Sequence, residues 1–310
     1  MNNIDITGES FAALILTHGR PDNVLTYDTL RKQGYTGQIV IVIDNEDKSA
    51  DEYKAKFEGL PGVTIYCFDK LAISKTFDTA DNQKDRRTIV YARNASFDIA
   101  RELGFRYFVQ LDDDYFQFIW RFTDKYEFAR ASHWEGQETS GFYTDNLNRV
   151  FTAFIDFLIE TPQVCTIAMA QGGDFIGGQA GRYGSTITLN RKAMNSFFCD
   201  VNRPIGFIGR INEDVNVYTS KATTGAVFFT HNQIALNQVQ TQQSGGGMTN
   251  VYHASGTYVK SFYTVMMHPS GARVRMMQSR SNPRLHHSVK WNSTTPMILS
   301  EKHRKRSAGA

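Results

Sequence analysis

Three apolar runs in the first 115 residues each end in a polar cluster, and this repetition constrains the fold more than any other feature. Ala12–Leu16 stops at Thr17-His18-Gly19-Arg20, Ile39–Ile43 at Asp44-Asn45-Glu46-Asp47, and Phe105–Leu111 at Asp112-Asp113-Asp114. A further run, Val63–Phe68, is a fourth strand. Helical segments fall between them. Pro21 can open a helix, because its missing N–H is not needed in the first turn, and Gly34 would close it. Ala92, Ala95, Ile99 and Leu103 recur at helical spacing, with Gly104 as the stop. Wholly apolar strands that alternate with helices predict a parallel sheet covered on both faces. In such sheets ligands bind beyond the carboxyl ends of the strands, so the three clusters are expected along one rim.

The second half reads as mixed. Leu147, Val150, Phe151, Phe154 and Leu158 mark a helix ended by Thr161-Pro162. Val164–Ala170 is a strand leading into a glycine-rich loop from Gln171 to Gly184, a candidate for the acceptor side of a site. Asn212–Ala222 is a helix, followed by a strand over Ala226–Thr230. Gln240–Gly247 is a polar, glycine-rich loop. No internal repeat or linker divides the chain, so one domain over 1–310 is expected. Its parts would be 1–115, 116–259 and a C-terminal segment over 260–310.

Hydrophobic residues make up 41% and aromatics 13%, enough for a sizeable core and against general disorder. No run is long and apolar enough for a membrane helix, and the first ten residues lack a secretion signal. Cys67, Cys165 and Cys199 are odd in number and widely spaced, with neither a disulfide framework nor a zinc spacing. A reducing cytoplasm is therefore expected. The net charge of +3 hides an asymmetry. Lys260 to Ala310 holds ten Lys/Arg and one acid, a net +9, which leaves −6 for the rest. A basic end on an acidic body suits an anionic partner, nucleic acid foremost, although the last run, Lys302 to Arg306, also fits a solvated tail.

The acidic triad carries the chemistry. Like charges this close raise one another's pKa, and a divalent cation removes the conflict. Oxygen ligands suit Mg²⁺ or Mn²⁺. Strand alternation puts Asp112 and Asp114 on one side and Asp113 on the other. A cation held there would bridge the phosphates of a nucleoside diphosphate and stabilise it as a leaving group.

Tyr91-Ala92-Arg93-Asn94 on a helix, followed by Phe108-Val109-Gln110-Leu111-Asp112-Asp113-Asp114, resembles the core of GT-A-fold glycosyltransferases, whose metal motif is Asp-x-Asp at a strand end. Leu16-Thr17-His18-Gly19-Arg20 and Ile41-Val42-Ile43-Asp44 resemble that family's first two strand ends. The resemblance implies an α/β, Rossmann-type, mostly parallel sheet flanked by helices, with a mixed C-terminal half. It also implies a UDP-sugar donor. Thr17 and Arg20 would contact the nucleotide, Asp44 the uracil, and His18 would sit against the nucleotide. Arg93 would approach the diphosphate along with Asp112 and Asp113. Asp112 and Asp114 would hold the metal, joined by a C-terminal histidine, with His268 ahead of His286, His287 and His253. Asn212-Glu213-Asp214 stands where inverting members carry an acidic pair, which implies Asp214, ahead of Glu213, as the base that takes the acceptor's proton. The same pair would also satisfy a helix N-terminus. Trp134 and Trp291 fit core packing better than stacking on a sugar.

The DDD strand, the NED helix and the basic segment with His268-Pro269-Ser270-Gly271 together look most like the TET-associated glycosyltransferases of bacteriophages. That resemblance implies transfer of a sugar to hydroxymethylated pyrimidines in DNA, mainly 5-hydroxymethylcytosine. A DNA acceptor needs phosphate-neutralising contacts, for which Arg273, Arg275, Arg280, Arg284 and Lys290 are candidates. It also requires the base to be extruded or met single-stranded. Two alternatives remain open. A GT-A enzyme acting on a protein or glycan would keep every catalytic residue. A non-enzymatic DNA-binding module would need the basic segment and not the acidic triad.

Overall fold

The computed structural model describes residues 6, 10–80, 86–122, 144–171, 187–188, 193–222, 224–239, 248–277 and 283–294. The first apolar run forms β1 (Phe11–Leu16), every residue of it buried. A single 3-10 turn at Pro21–Asn23 and helix α1 (Leu25–Lys32) follow. The predicted helix from Pro21 thus splits at Val24, whose dihedrals are not helical. Gly34 reverses the chain at φ +86°, where a Cβ would meet the Asp145 carbonyl oxygen at 2.1 Å. Glycine is needed there for both conformation and space.

Strand β2 (Gln38–Asp44), α2 (Ala50–Phe57), β3 (Val63–Phe68), the one-turn α3 (Lys70–Ile73), α4 (Val90–Glu102) and β4 (Tyr107–Asp112) complete the first half. Here β3, β2, β1 and β4 lie side by side and parallel, as the apolar runs predict. Leu16 stands opposite both Val42 and Asp112, and Asp44 opposite Phe68. That register brings the polar clusters to one rim.

The mixed half continues the same sheet through β5 (Tyr115–Trp120), α5 (Leu147–Glu160), β6 (Val164–Gln171), β7 (Ile187–Thr188), β8 (Phe197–Asp200), α6 (Glu213–Ala222) and β9 (Val227–Gln238). The order is β3-β2-β1-β4-β8-β6-β9-β5, with β7 on β9. β8 runs antiparallel to β4 and β6, and β5 antiparallel to β9, whereas β6 and β9 are parallel. Strand β9 extends well beyond the expected end at Thr230. β5 begins directly after the acidic triad, so Asp113 and Asp114 form a tight turn between strands rather than an open loop.

The alternation of β1 divides the core. Ala13 and Ile15 join Ile41, Phe151, Phe154 and Phe198 under α5, while Leu14 and Leu16 join Val42, Phe97 and Phe108 on the face covered by α4. Beyond the sheet, α7 (Met248–Met267) leads into a hairpin of β10 (Ala272–Met277) and β11 (Arg284–Val289), then α8 (Trp291–Thr294). Trp291 stacks on Tyr218 of α6, centroids 5.8 Å apart and planes 11° from parallel, so it packs rather than faces a ligand. Trp134, residues 172–184 and 240–247 of the glycine-rich loops, Arg280 and the run Lys302 to Arg306 lie outside the described residues, as does the side chain of His253. Among the described residues no helix is long and apolar enough to cross a membrane.

Candidate active site

The acidic turn is fixed by a residue that nothing in the sequence marks. Thr26, in the first turn of α1, donates its backbone N–H to the Asp113 carbonyl (3.1 Å) and its hydroxyl to the Asp112 carbonyl (2.6 Å). The same hydroxyl accepts from the Tyr115 N–H at 2.9 Å. With its backbone so held, Asp113 turns inward. It accepts from the Thr17 hydroxyl at 2.7 Å and pairs with the Arg20 guanidinium at 2.8 Å. Tyr53 braces the pair, 2.8 Å from the Thr17 hydroxyl and accepting the Arg20 N–H. Burial raises the Asp113 pKa to about 6, with Arg20 and Thr17 pulling it back. Asp113 therefore acts on Thr17 and Arg20 instead of projecting into the site.

Asp112 and Asp114 take the other side and are half-buried. Asp114 Oδ1 is buried with no hydrogen-bond partner among the described residues. Burial first, then the Asp112 and Asp113 carboxylates, push its pKa up to about 7. A buried acceptor left without a donor costs about 1–3 kcal/mol, more for a charged group. A cation is the species that would relieve both that deficit and the charge crowding. Hard oxygen donors of this kind fit Mg²⁺ or Mn²⁺, with phosphate and water completing the shell.

Along the rim, His18 Nδ1 lies 2.8 Å from Asp44 Oδ2 and 3.6 Å from Asp47. The buried Lys70 ammonium donates to the same Asp44 oxygen at 3.0 Å. The Glu46 N–H takes the other oxygen, and the Gly19 N–H donates to Asp47 at 2.7 Å. Burial alone would raise the Asp44 pKa, but the His18 hydrogen bond and the Lys70 charge outweigh it and hold the carboxylate below its ordinary value. Lys70 was detectable: the Val63–Phe68 run also ends in a polar pair, Asp69-Lys70.

Arg93 is not at the open surface where a diphosphate would meet it. Its side chain is 1% exposed and packs between Phe197 and Phe207, at 5.0 and 5.8 Å from the ring centroids. It donates through Nε to Glu213 and through Nη2 to Asp112, both at 3.0 Å. Burial opposes its charge, but these two carboxylates prevail and hold its pKa above the ordinary value. Arg93 thus joins the acidic turn to the start of α6. Glu213 is consumed by that bond, and its pKa is raised by burial and by Asp214. Asp214 is the more exposed of the pair.

Asn212 sets up this end. It adopts φ +56°, a left-handed conformation that asparagine tolerates better than most residues. Its side-chain amide donates to the Lys260 carbonyl (2.7 Å) and the Thr264 hydroxyl (3.2 Å) of α7. The acidic pair is thereby aimed by a contact with α7.

The sequence profile of the TET-associated glycosyltransferases matches residues 11–247. The chain belongs to that family. The protein is thus a glycosyltransferase, and the matched span takes in the whole nine-stranded sheet, the acidic turn and the NED helix. Comparison with curated protein sequences returns no match. Among solved structures, similarity is found to a mycobacterial protein at TM-score 0.46 and 7% identity, covering 95% of this chain and 86% of that one. Glucosyl-3-phosphoglycerate synthase from Mycobacterium tuberculosis, in complex with Mn²⁺, UDP and phosphoglyceric acid, has TM-score 0.44 and 7% identity, covering 95% and 89%. The same enzyme with Mg²⁺ and UDP has TM-score 0.43 and 6% identity, covering 92% and 89%.

In this glycosyltransferase His268 stands at the corner between α7 and β10. Burial lowers its pKa, and its Nε2 packs on Gly271, where a Cβ would come within 2.3 Å of it. Among the described residues no three His, Cys, Asp or Glu side chains are gathered as a metal site. His286 and His287 are stacked on each other, centroids 4.3 Å apart. A surface hollow of about 380 Å³ between α2 and β3, lined in part by Lys54, Thr64 and Cys67, contains none of the site residues.

The hairpin has two unlike faces. Ala272 and His287 are buried, and the Leu285 carbonyl accepts from Ser261 of α7. Register places Arg273, Arg275 and Arg284 together on the opposite face, all exposed. Lys290 follows β11 and is half-buried. Lys260 of α7 lies within electrostatic reach of Asp214, Glu213 and Arg284; burial lowers its pKa.

Proposed function

We propose that the protein transfers a sugar from a UDP-sugar to the hydroxymethyl group of a modified pyrimidine in DNA, chiefly 5-hydroxymethylcytosine. The observation that carries this reading is the connection from Asp112 through Arg93 to Glu213, with Asp114 beside Asp112 at one end and Asp214 beside Glu213 at the other. One end has the chemistry of a diphosphate site and the other that of a proton acceptor. Residues 1–115 would be the nucleotide-binding half, 116–259 the acceptor half and 260–310 the basic segment.

Asp112 and Asp114 would hold Mn²⁺ or Mg²⁺, which, when bound, neutralises charge on the leaving diphosphate. Arg20 and Thr17, set by Asp113 and Tyr53, would contact the nucleotide. A uracil N3–H reaching Asp44 would take the place of His18, whose side chain is 36% exposed, since the other partner on that oxygen, Lys70, is buried. Arg93 would fix the spacing of the two ends without touching the donor. Asp214 would take the proton of the acceptor hydroxyl as that oxygen bonds to the anomeric carbon and the bond to the diphosphate breaks, UDP leaving with the electron pair. The acceptor class is supported by the family name and by the exposed basic face of the hairpin, which suits a polyanion.

The test is to incubate the protein with a panel of nucleotide sugars, Mn²⁺ and hydroxymethylated DNA, then to weigh the released nucleosides. A hexose-sized mass gain on 5-hydroxymethyldeoxycytidine is expected. Consumption of the donor only when protein or glycan is supplied would move the acceptor to those classes.

A further inference from the structure

Helix α7 carries an apolar face that no other described element covers. Tyr258, Phe262 and Met266 follow at four-residue intervals and are 61%, 39% and 57% exposed, with Val259 beside them at 41%. Residues four apart in a helix are neighbours, and the Tyr258 and Phe262 rings lie 4.6 Å apart at 32°. Single exposed apolar residues are ordinary, but a contiguous face marks a surface that binds something.

Its surroundings indicate what. The opposite side of α7 is buried through Ser261, Tyr263 and Thr264. Lys260, midway between Tyr258 and Phe262 in sequence, belongs to that inner side, near Asp214 and Arg284. The inner side of α7 also holds Asn212, which precedes the acidic pair, through the Lys260 carbonyl and the Thr264 hydroxyl, so the aromatic pair stands on the outer side of the helix that contacts that end of the site. Arg273, Arg275 and Arg284 share the exposed face of the hairpin, whose Leu285 carbonyl accepts from Ser261 of α7. Cations for phosphates beside ring faces for bases are what a single strand of nucleic acid requires.

We propose that Tyr258 and Phe262 form a stacking platform for the bases that flank the target nucleotide, holding the strand open while the modified base occupies the site. This rests on DNA being the acceptor. Extruding a base forfeits its stacking, and ring faces nearby replace part of it.

The test measures binding of full-length wild type and a Tyr258→Ala/Phe262→Ala variant to single-stranded oligonucleotides with one central 5-hydroxymethylcytosine, by fluorescence anisotropy over a salt series. Two probes are used, one with normal flanking bases and one with abasic flanks. The variant should lose about tenfold in affinity for the normal probe. Its salt slope should be unchanged, and on the abasic probe it should bind as wild type does. Tyr258→Phe should bind as wild type. Equal affinity of variant and wild type for the normal probe, or an equal loss on both probes, overturns the platform. So does a wild-type dimer in sedimentation that the variant abolishes, which would assign the face to a second copy. If wild type shows no salt-dependent binding, the DNA acceptor itself falls, and the platform with it.

Discussion

Replacing Arg93 by Met keeps most of the side-chain volume between Phe197 and Phe207 and removes the charge that joins Asp112 to Glu213. Both carboxylates are then buried without their shared cation. Removing one partner of a buried pair costs about 3–5 kcal/mol. For a chain of this size each kcal/mol lowers Tm by about 2 °C, so a drop of about 8 °C is expected. The loss has a predictable pH dependence. Burial already raises the Asp112 and Glu213 pKa values above their unfolded values, and Arg93 pulls both back. Without it they rise further, so the folded state holds protons that the unfolded chain releases. Stability then falls as pH climbs from the unfolded values towards the raised ones. Urea denaturation at pH 6 and pH 8 should find the variant's deficit larger at pH 8. A deficit below about 1 kcal/mol, or one equal at the two pH values, would refute the idea that Arg93 is the electrostatic tie between the two ends.

Asp214→Asn should cut turnover by about a hundredfold or more while UDP affinity stays within about twofold, as steady-state rates and calorimetry would establish. Near-normal turnover would reassign the base. Asp44 has a folded pKa below its ordinary 3.8, so its contribution is present above that value and lost as pH falls through the folded one. Asp44→Asn should therefore lower stability at pH 7, by about 3 kcal/mol because Lys70 is left buried and unpaired, and shrink the acid-induced loss; thermal melts from pH 7 to pH 3 measure this. Arg273→Ala/Arg275→Ala should flatten the log–log salt slope of DNA binding by about 0.9 for each phosphate that is no longer neutralised, read by anisotropy. An unchanged slope would remove the hairpin from the DNA surface.

The polar rim was legible in sequence because uniform apolar runs and the clusters that end them encode both a parallel sheet and its C-terminal edge. Alternation also placed Asp113 opposite Asp112 and Asp114. What escaped was carried by residues with no local signature. Thr26 looks like any threonine in a first helical turn, and only the fold brings it under the acidic turn. Arg93 sits on a helix four positions from Phe97, and nothing local says that it is buried between two carboxylates more distant in sequence. The antiparallel strands were missed where pairing is set by distant partners: β5 follows the triad so closely that it reads as part of a loop. The extent of helix α7 was not legible because its apolar face does not all point inward. Tyr258, Phe262 and Met266 are exposed, which blurs the helical stripe that a core-facing segment would display.

The assignment of the acidic turn is tested most directly by titrating UDP, with and without Mn²⁺, into wild type and Asp114→Ala in a calorimeter, circular dichroism confirming that both are folded. Wild type should bind UDP tightly only with Mn²⁺, and the variant should lose that metal-dependent gain. The same Mn²⁺-dependent affinity in both proteins would contradict a metal and diphosphate site at the end of β4.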